Sequence, residues 1–279
     1  MSARRRHSVL QRESMTSGSD AGLIDSLTLR RTAAAKYGGD PPPGWAPALR
    51  LRFGYYTPDD VYESVVDRLI TPGCRWLDVG CGRDVFPTNR ALARELSGRC
   101  GTLVGVDPDR TIQENPYVHE RAQTALEDFE TKEAFNVITA RMVVEHVRDP
   151  ESFVRQLRRL SAPGGLVVIY TVNKWAPVSF LSWLIPFAFH HRIKASVWGT
   201  SEQDTFPVEY RMNTRRELST LMRNAGFGER HFTYLDDCRS LARFRWVSRA
   251  ELLVWKALNS VGLHYPETCL LAVYQRADR

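Results

Sequence analysis

The chain has 279 residues, enough for one large α/β domain or two small ones. A hydrophobic fraction of 43% and a charged fraction of 25% are ordinary for a globular enzyme, which excludes wholesale disorder. The net charge of +6 favours anionic partners. The arginines are scattered, however, through Arg4, Arg52, Arg110, Arg155, Arg215 and Arg243, so no nucleic-acid partner is expected.

The five cysteines, Cys74, Cys81, Cys100, Cys238 and Cys269, are odd in number and contain no C-x-x-C pair. That pattern fits a reduced cytoplasmic protein better than a secreted one. No apolar run of signal-peptide length follows the basic start, and none reaches the roughly 18 residues of a spanning helix. The expectation is a cytoplasmic protein that is soluble or membrane-peripheral.

In chain order, residues 1–20 are rich in Ser and Arg and read as a disordered tail. Gly38-Gly39-Asp40-Pro41-Pro42-Pro43-Gly44 reads as a linker. Residues 1–44 are therefore expected to be tail and linker, and 45–279 the folded domain. Thr57-Pro58-Asp59-Asp60 is a helix start, with Thr57 as N-cap, Pro58 in the first turn and an acid three residues after the cap. Arg75–Val79 is a short apolar strand, and a helix through 91–96 leads to a second strand at 103–106. Two more buried strands are expected at 135–139 and 166–170, separated by a helix over Pro150–Leu160. Pro163-Gly164-Gly165 supplies the turn into the latter. Thr214-Arg215-Arg216-Glu217 is a second capping box, and Gly226 marks that helix's end. Segments 231–235 and 270–274 are expected strands at a sheet edge. Strands alternating with helices imply a doubly wound, mainly parallel α/β sheet.

In such sheets ligands bind beyond the carboxyl ends of the strands, where the strand order reverses. Asp78-Val79-Gly80-Cys81-Gly82 ends the first strand, and Asp107 ends the second, placed to accept hydrogen bonds from a ribose. A dinucleotide site wants G-x-G-x-x-G, but the third position here is Val85, and Asp84 would repel a pyrophosphate. A ligand whose end carries an ammonium group tolerates those acids.

L-D-V-G-C-G at 77–82, G-V-D-P at 105–108, V-E-H-V at 144–147 and P-G-G at 163–165 follow one another in order along the chain. In these motifs, over roughly residues 50–230, the chain resembles the class I S-adenosylmethionine (SAM)-dependent methyltransferases. The resemblance is to the small-molecule group that includes ubiquinone-type O-methyltransferases. It implies a seven-stranded Rossmann-like sheet and SAM as cofactor. It assigns Asp78, Gly80 and Gly82 to the methionine end of SAM, Asp107 to its ribose, and Leu126 and Glu127 to the adenine. Asp84 stands where the family usually has a third glycine, and either narrows the pocket or caps the next helix; the cap is the favoured reading. Tyr55 and Tyr56 precede the first helix, where relatives close over SAM, so Tyr56 is a cofactor candidate; packing against the sheet is the competing reading.

Methyl transfer from a sulfonium depends mainly on alignment of donor and acceptor, with a base needed chiefly for a protonated hydroxyl. Glu145 and His146 follow the fourth strand and are the catalytic candidates, since an imidazole titrates near neutrality. A His that only bonds loop backbone is the alternative. Relatives that hold a divalent metal use an E-x-x-E-H pattern, and Met142 stands at its first position here, so no metal is expected. Thr139-Ala140-Arg141-Met142 replaces the Asn/Asp-Pro-Pro-Tyr motif of amino-methylating enzymes.

Residues 173–213 form an insertion longer than a normal connection, read as a lid or acceptor-binding surface. Within it 175–194 is apolar and aromatic, then basic, so a bilayer contact competes with a lid carrying Trp183 as substrate residue. Tyr210 and Arg211 should return to the site mouth and are further substrate candidates; an Arg211–Glu209 pair is the bland alternative. Plain core packing or a homodimer contact is the third reading of 175–194, while residues 239–262 read as an amphipathic helical hairpin, a second wall of the acceptor pocket. The leading function is methylation of a hydroxyl oxygen on an apolar or aromatic small molecule. The alternatives are N- or C-methylation of a small molecule, or a non-catalytic SAM-binding or membrane-associated accessory protein.

Overall fold

A computed structural model of the protein describes residues 22–38, 47–176, 208–239 and 244–278. Seven strands form one sheet: β1 (Arg75–Val79), β2 (Thr102–Val106), β3 (Glu120–Ala122), β4 (Phe135–Arg141), β5 (Ser161–Val172), β6 (Phe227–Asp236) and β7 (Glu267–Arg276). Their order is β3-β2-β1-β4-β5-β7-β6. β1 to β5 run parallel, while β7 is antiparallel to both β5 and β6. The order reverses at β1, which lies between β2 and β4, and this opens the crevice in which such sheets bind ligands.

Side chains alternate across each strand, so the sheet has two buried faces. Trp76, Val137, Val168 and Tyr170 pack with Val65 and Leu96, from helices α3 (Pro58–Leu69) and α4 (Arg90–Arg99). Leu77, Ile138 and Ile169 pack on the other face with Leu157 and Met222, from α5 (Pro150–Leu160) and α6 (Arg215–Asn224). The caps are those expected: Thr57 Oγ1 accepts from Asp60 N at 3.2 Å while Asp60 Oδ2 accepts from Thr57 N at 2.9 Å. Thr214 Oγ1 accepts from Glu217 N at 3.2 Å. The Pro163-Gly164-Gly165 turn is an excursion within β5, between Ser161 opposite Phe135 and Leu166 opposite Val137.

Two expectations are corrected. Residues 26–37 do not belong to a tail that runs to 44: α1 (Ser26–Tyr37) is a helix, N-capped by Asp25, lying against α3. Its low amphipathicity hid it, because only Leu29 and Ala33 are buried apolar anchors and charge adds the rest of the docking. The Lys36 ammonium, 2% exposed, sits 2.9 Å from both Asp60 and Glu63 of α3, and Tyr37 Oη donates to Asp60 Oδ1 at 2.8 Å. Arg31 pairs with Asp67 one turn further along. A short helix, α2 (Pro47–Phe53), follows. Second, the described part of 239–262 is not a hairpin but one helix, α7 (Arg245–Ser260). Residues 1–21, and 177–207 with Trp183 and the basic stretch at 190–194, lie outside the described residues.

Removing a cation from a buried cluster strands its acids. Lys36→Ala is expected to cost about 3–5 kcal/mol, measured by urea unfolding, and Lys36→Ala/Glu63→Gln to recover part of the loss.

Candidate functional site

The turn after β1 owes its shape to two glycines with left-handed backbones, Gly80 at φ 70° and Gly82 at φ 45°. At Gly80 no side chain fits: a Cβ would lie 2.3 Å from Val143 Cγ2. The turn is held to the end of β2 by Asp107. Asp107 Oδ2 accepts from Gly82 N and Oδ1 from Asp109 N, each at 2.8 Å. Asn115 Nδ2 donates to Gly82 O at 3.0 Å from the far side. Each Asp107 oxygen retains a lone pair for a further donor. Burial raises its carboxyl above the ordinary range, opposed by these two N–H groups.

Asp78 faces the α3 side of the sheet and is buried. Parallel register sets it directly beside Thr139 of β4, whose Oγ1 donates to Asp78 Oδ1 at 2.6 Å. Trp76 Nε1 donates to the same hydroxyl at 2.7 Å, which fixes its lone pairs and aims its proton at the carboxylate. Burial pushes the Asp78 carboxyl up to about 7, against the Thr139 hydrogen bond. Thr139 and Asn115 were missed from sequence; a lone Thr inside the apolar run 137–140 was the available signal for the first.

Beyond β4 the backbone turns sharply, with Met142 at φ 53°, into the single helical turn Val144–His146. Glu145 is buried. Its Oε2 accepts from Thr171 Oγ1 at 2.7 Å, and its carbonyl accepts from Glu209 N at 2.7 Å and Tyr210 N at 3.2 Å. Its carboxyl is thus engaged with β5, and its backbone fastens 208–213 to the site. The neighbouring His146 is half-buried on the same turn. Tyr210, half-buried at φ 51°, does return beside Glu145, and burial followed by that charge raises its phenol. Arg211 is exposed; it donates to the Arg148 carbonyl at 3.0 Å and pairs with Glu209 at 3.5 Å, the bland alternative.

Leu126 is buried in the apolar cluster beside Val104 and Val106, and Glu127 is half-buried on the same short turn, Leu126–Asp128. Tyr56 is half-buried and packs on the core, while Tyr55 is structural, its Oη donating to Asp236 O at 3.0 Å and accepting from Cys238 N at 2.9 Å. Asp84 does not cap α4. Asn89 does, accepting from Leu92 N at 3.2 Å, and Asp84 pairs with Arg90 at 3.3 Å.

An ion triad around a buried acid also went unread. Asp59 of α3 accepts from Arg141, at the end of β4, at 3.1 Å and from Arg239, after β6, at 2.8 Å. Burial would raise the Asp59 carboxyl, but the two guanidinium groups outweigh it and hold it well below the usual carboxylate range. Among the described residues no cluster of three metal-ligating side chains forms.

A reversed parallel sheet with a glycine turn after β1 and an acid closing β2 defines a Rossmann-like enzyme that holds a nucleoside-bearing ligand. The profile of a methyltransferase-domain family matches residues 40–229, and the chain belongs to that family. Among curated relatives, a ubiquinone biosynthesis O-methyltransferase of Rhodopseudomonas palustris is 30% identical over 110 residues, which are 37% of this chain and 41% of that protein. One from Xanthomonas axonopodis pv. citri is 28% identical over 195 residues, 68% of this chain and 75% of the relative. The human mitochondrial enzyme of the same name is 33% identical over 139 residues, 45% of this chain and 35% of that one. The first and last of these matches span less than half of the relative's length. The magnesium protoporphyrin IX methyltransferase of Synechocystis shares the fold, with a TM-score of 0.50 at 11% identity, covering 90% of this chain and 94% of that one.

Gly80→Ala is expected to destabilise the protein by about 1–3 kcal/mol in thermal or urea unfolding, through the left-handed backbone and the Val143 contact. Adding Val143→Ala should restore the contact part only.

Proposed function

We propose that this chain transfers the methyl group of S-adenosylmethionine to a hydroxyl oxygen of an apolar or aromatic small molecule. The observation that carries the reading is the juxtaposition at one crevice of the Asp78–Gly80–Gly82–Asp107 cradle with the Glu145–His146 turn. The chemistry of the cradle fits the cofactor. Asp107 keeps acceptor capacity for a ribose diol, Gly80 and Gly82 let backbone approach a ligand closely, and Asp78 offers a buried carboxylate to an ammonium group. Leu126 supplies an apolar surface for an adenine edge, and Glu127 and Tyr56 border the same crevice in this reading.

Bound there, the cofactor supplies an electrophilic methyl on a sulfonium, a good leaving group. The chain's part is to hold donor and acceptor in line, exclude water and take one proton. His146 receives the acceptor hydroxyl's proton at a ring nitrogen as the oxygen becomes nucleophilic. Glu145, engaged by Thr171, is a positioning residue that fixes the His146 turn and the 208–213 segment. Tyr210 lies beside it and presents a phenol toward the acceptor. The names of the curated relatives support a hydroxyl acceptor on an apolar ring.

Two experiments test this reading. Calorimetric titration with SAM should show binding in the wild type and in His146→Ala, and none in Asp107→Ala. With a hydroxylated acceptor, His146→Ala should slow turnover by roughly 10²–10⁴-fold. An unchanged rate would remove the base and favour an acceptor that needs no deprotonation before it attacks, at nitrogen or carbon. SAM affinity near normal in the Asp107 variant would sink the cradle assignment.

The second is a pH dependence. Asp78 holds an ammonium only when ionised, and its carboxyl titrates at about 7. SAM affinity should therefore rise as pH increases through 7, then fall as the ligand's amino group, near about 7.7–8.0 in reference compounds, loses its proton. Asp78→Asn should abolish the rising limb.

A further inference from the structure

We infer that the outward face of α7 docks on an anionic phospholipid surface and presents the edge of the sheet that carries the site to the bilayer. The helix has two apolar faces. Its inner one is pinned: Leu252 is buried, the Trp255 ring meets Tyr55 edge-on at 5.1 Å, and Trp255 Nε1 donates to Asp236 Oδ2 at 2.5 Å. Glu251, also inward, accepts from Tyr265 Oη at 2.9 Å. The helix cannot roll to hide its other side.

That other side is apolar and exposed. At about 100° per residue, Trp246, Val247, Ala250, Leu253, Val254, Ala257 and Val261 fall within an arc of about 120°, opposite the buried residues. Trp246 is 76% exposed, Val261 71% and Leu253 52%. Phe244 and Leu263, just outside the helix at its two ends, are exposed as well. Isolated exposed apolar residues are ordinary, but a continuous stripe of this length marks an interaction surface.

Charge selects the occupant. Arg245, Arg249 and Lys256 are exposed on one flank of the stripe, within an arc of about 40°. The only acid between 244 and 263 is the inward Glu251. An apolar stripe with a cationic flank and an exposed Trp matches the interface of an anionic bilayer. In the antiparallel pairing of a two-fold dimer the cations of one copy would stand beside their own counterparts. At 16 residues α7 lies in the interface and does not span it, and no described helix is long and apolar enough to cross a membrane.

Topology adds a location. β6 and β5 are both antiparallel to β7, so they point the same way, and α7 joins the end of β6 to the start of β7. The helix therefore sits along the carboxyl edge of the sheet, the edge that bears Asp78, Asp107 and His146. Docking there places the crevice near the interface, where an apolar acceptor concentrates. α7 is thereby read not as a wall of the acceptor pocket but as a support on the lipid. The inference stands on surface chemistry and is independent of the acceptor proposed above.

The test is flotation of the full chain with vesicles of phosphatidylcholine, alone or mixed with phosphatidylglycerol. The expected result is binding to the mixed vesicles, weakened by added salt, and little to phosphatidylcholine alone. Leu253→Asp/Val254→Asp should lower vesicle affinity by about tenfold or more. Arg249→Gln, which removes one positive charge, should lower it roughly fivefold. All sites are exposed, so thermal unfolding and SAM titration should match the wild type, which separates failure of the surface from failure of the site. The proposal is overturned if the wild type floats with neither vesicle. It is equally overturned if the Leu253/Val254 variant binds as well as the wild type, which would move the contact elsewhere, as to 175–194. A wild-type dimer that the same variant converts to monomer would make this face a contact between copies instead.

Discussion

The hydrogen-bonded array Trp76–Thr139–Asp78 joins β1 to β4 at the one place where the strand order reverses. A carboxylate there is costly, since it stands at the end of a strand otherwise filled with Trp76, Leu77 and Val79. The Thr139 hydroxyl offsets part of that cost, and only because parallel pairing brings the two residues side by side. The glycine turn that follows is closed by the Asp107 carboxylate from β2. Three adjacent strands thus contribute one polar group each to a single crevice, and the surrounding apolar layers hold those groups in register.

From that centre the structure reaches outward by polar ties as much as by packing. Asp59 links α3 to the end of β4 and to the segment after β6. Glu145 links the turn after β4 to Thr171 of β5 and to the backbone of 208–213. Gly80 rests directly against Val143, so the cradle and the His146 turn share a contact. A displacement at one is felt at the other, which suits a reaction governed by alignment.

The parts legible in the sequence are those written in local periodicity or local chemistry. The capping box at Thr57, the N-cap at Thr214, the apolar strands and the glycine turn after β1 each depend on a few neighbouring residues. What escaped depends on partners far apart in the chain. β3 is three residues long and mostly exposed, too short for any pattern. α1 is docked by Lys36 onto acids 24 and 27 positions away, and its own apolar stripe is weak. Asp59 looked like a first-turn helix acid and is one, but its partners Arg141 and Arg239 lie 82 and 180 positions on. Asp84 had the right residue type for a cap, and Asn89 held the right position. Of the candidate site residues, those at strand ends were placed by the sheet itself, while Arg211 was placed by its ion pair.

The antiparallel β7 has a consequence for how the chain is made. β5 lies in the middle of the finished sheet, yet its second neighbour is residues 267–276, and Thr171, which holds Glu145, stands opposite Leu270. On a ribosome the cradle of β1, β2 and β4 has all its strands long before that neighbour emerges. Until then β5 is an open edge of bare Val167, Val168 and Ile169, a template for pairing with another nascent copy. The last strand of the sheet is thus a closure against misassembly as well as a floor for the site.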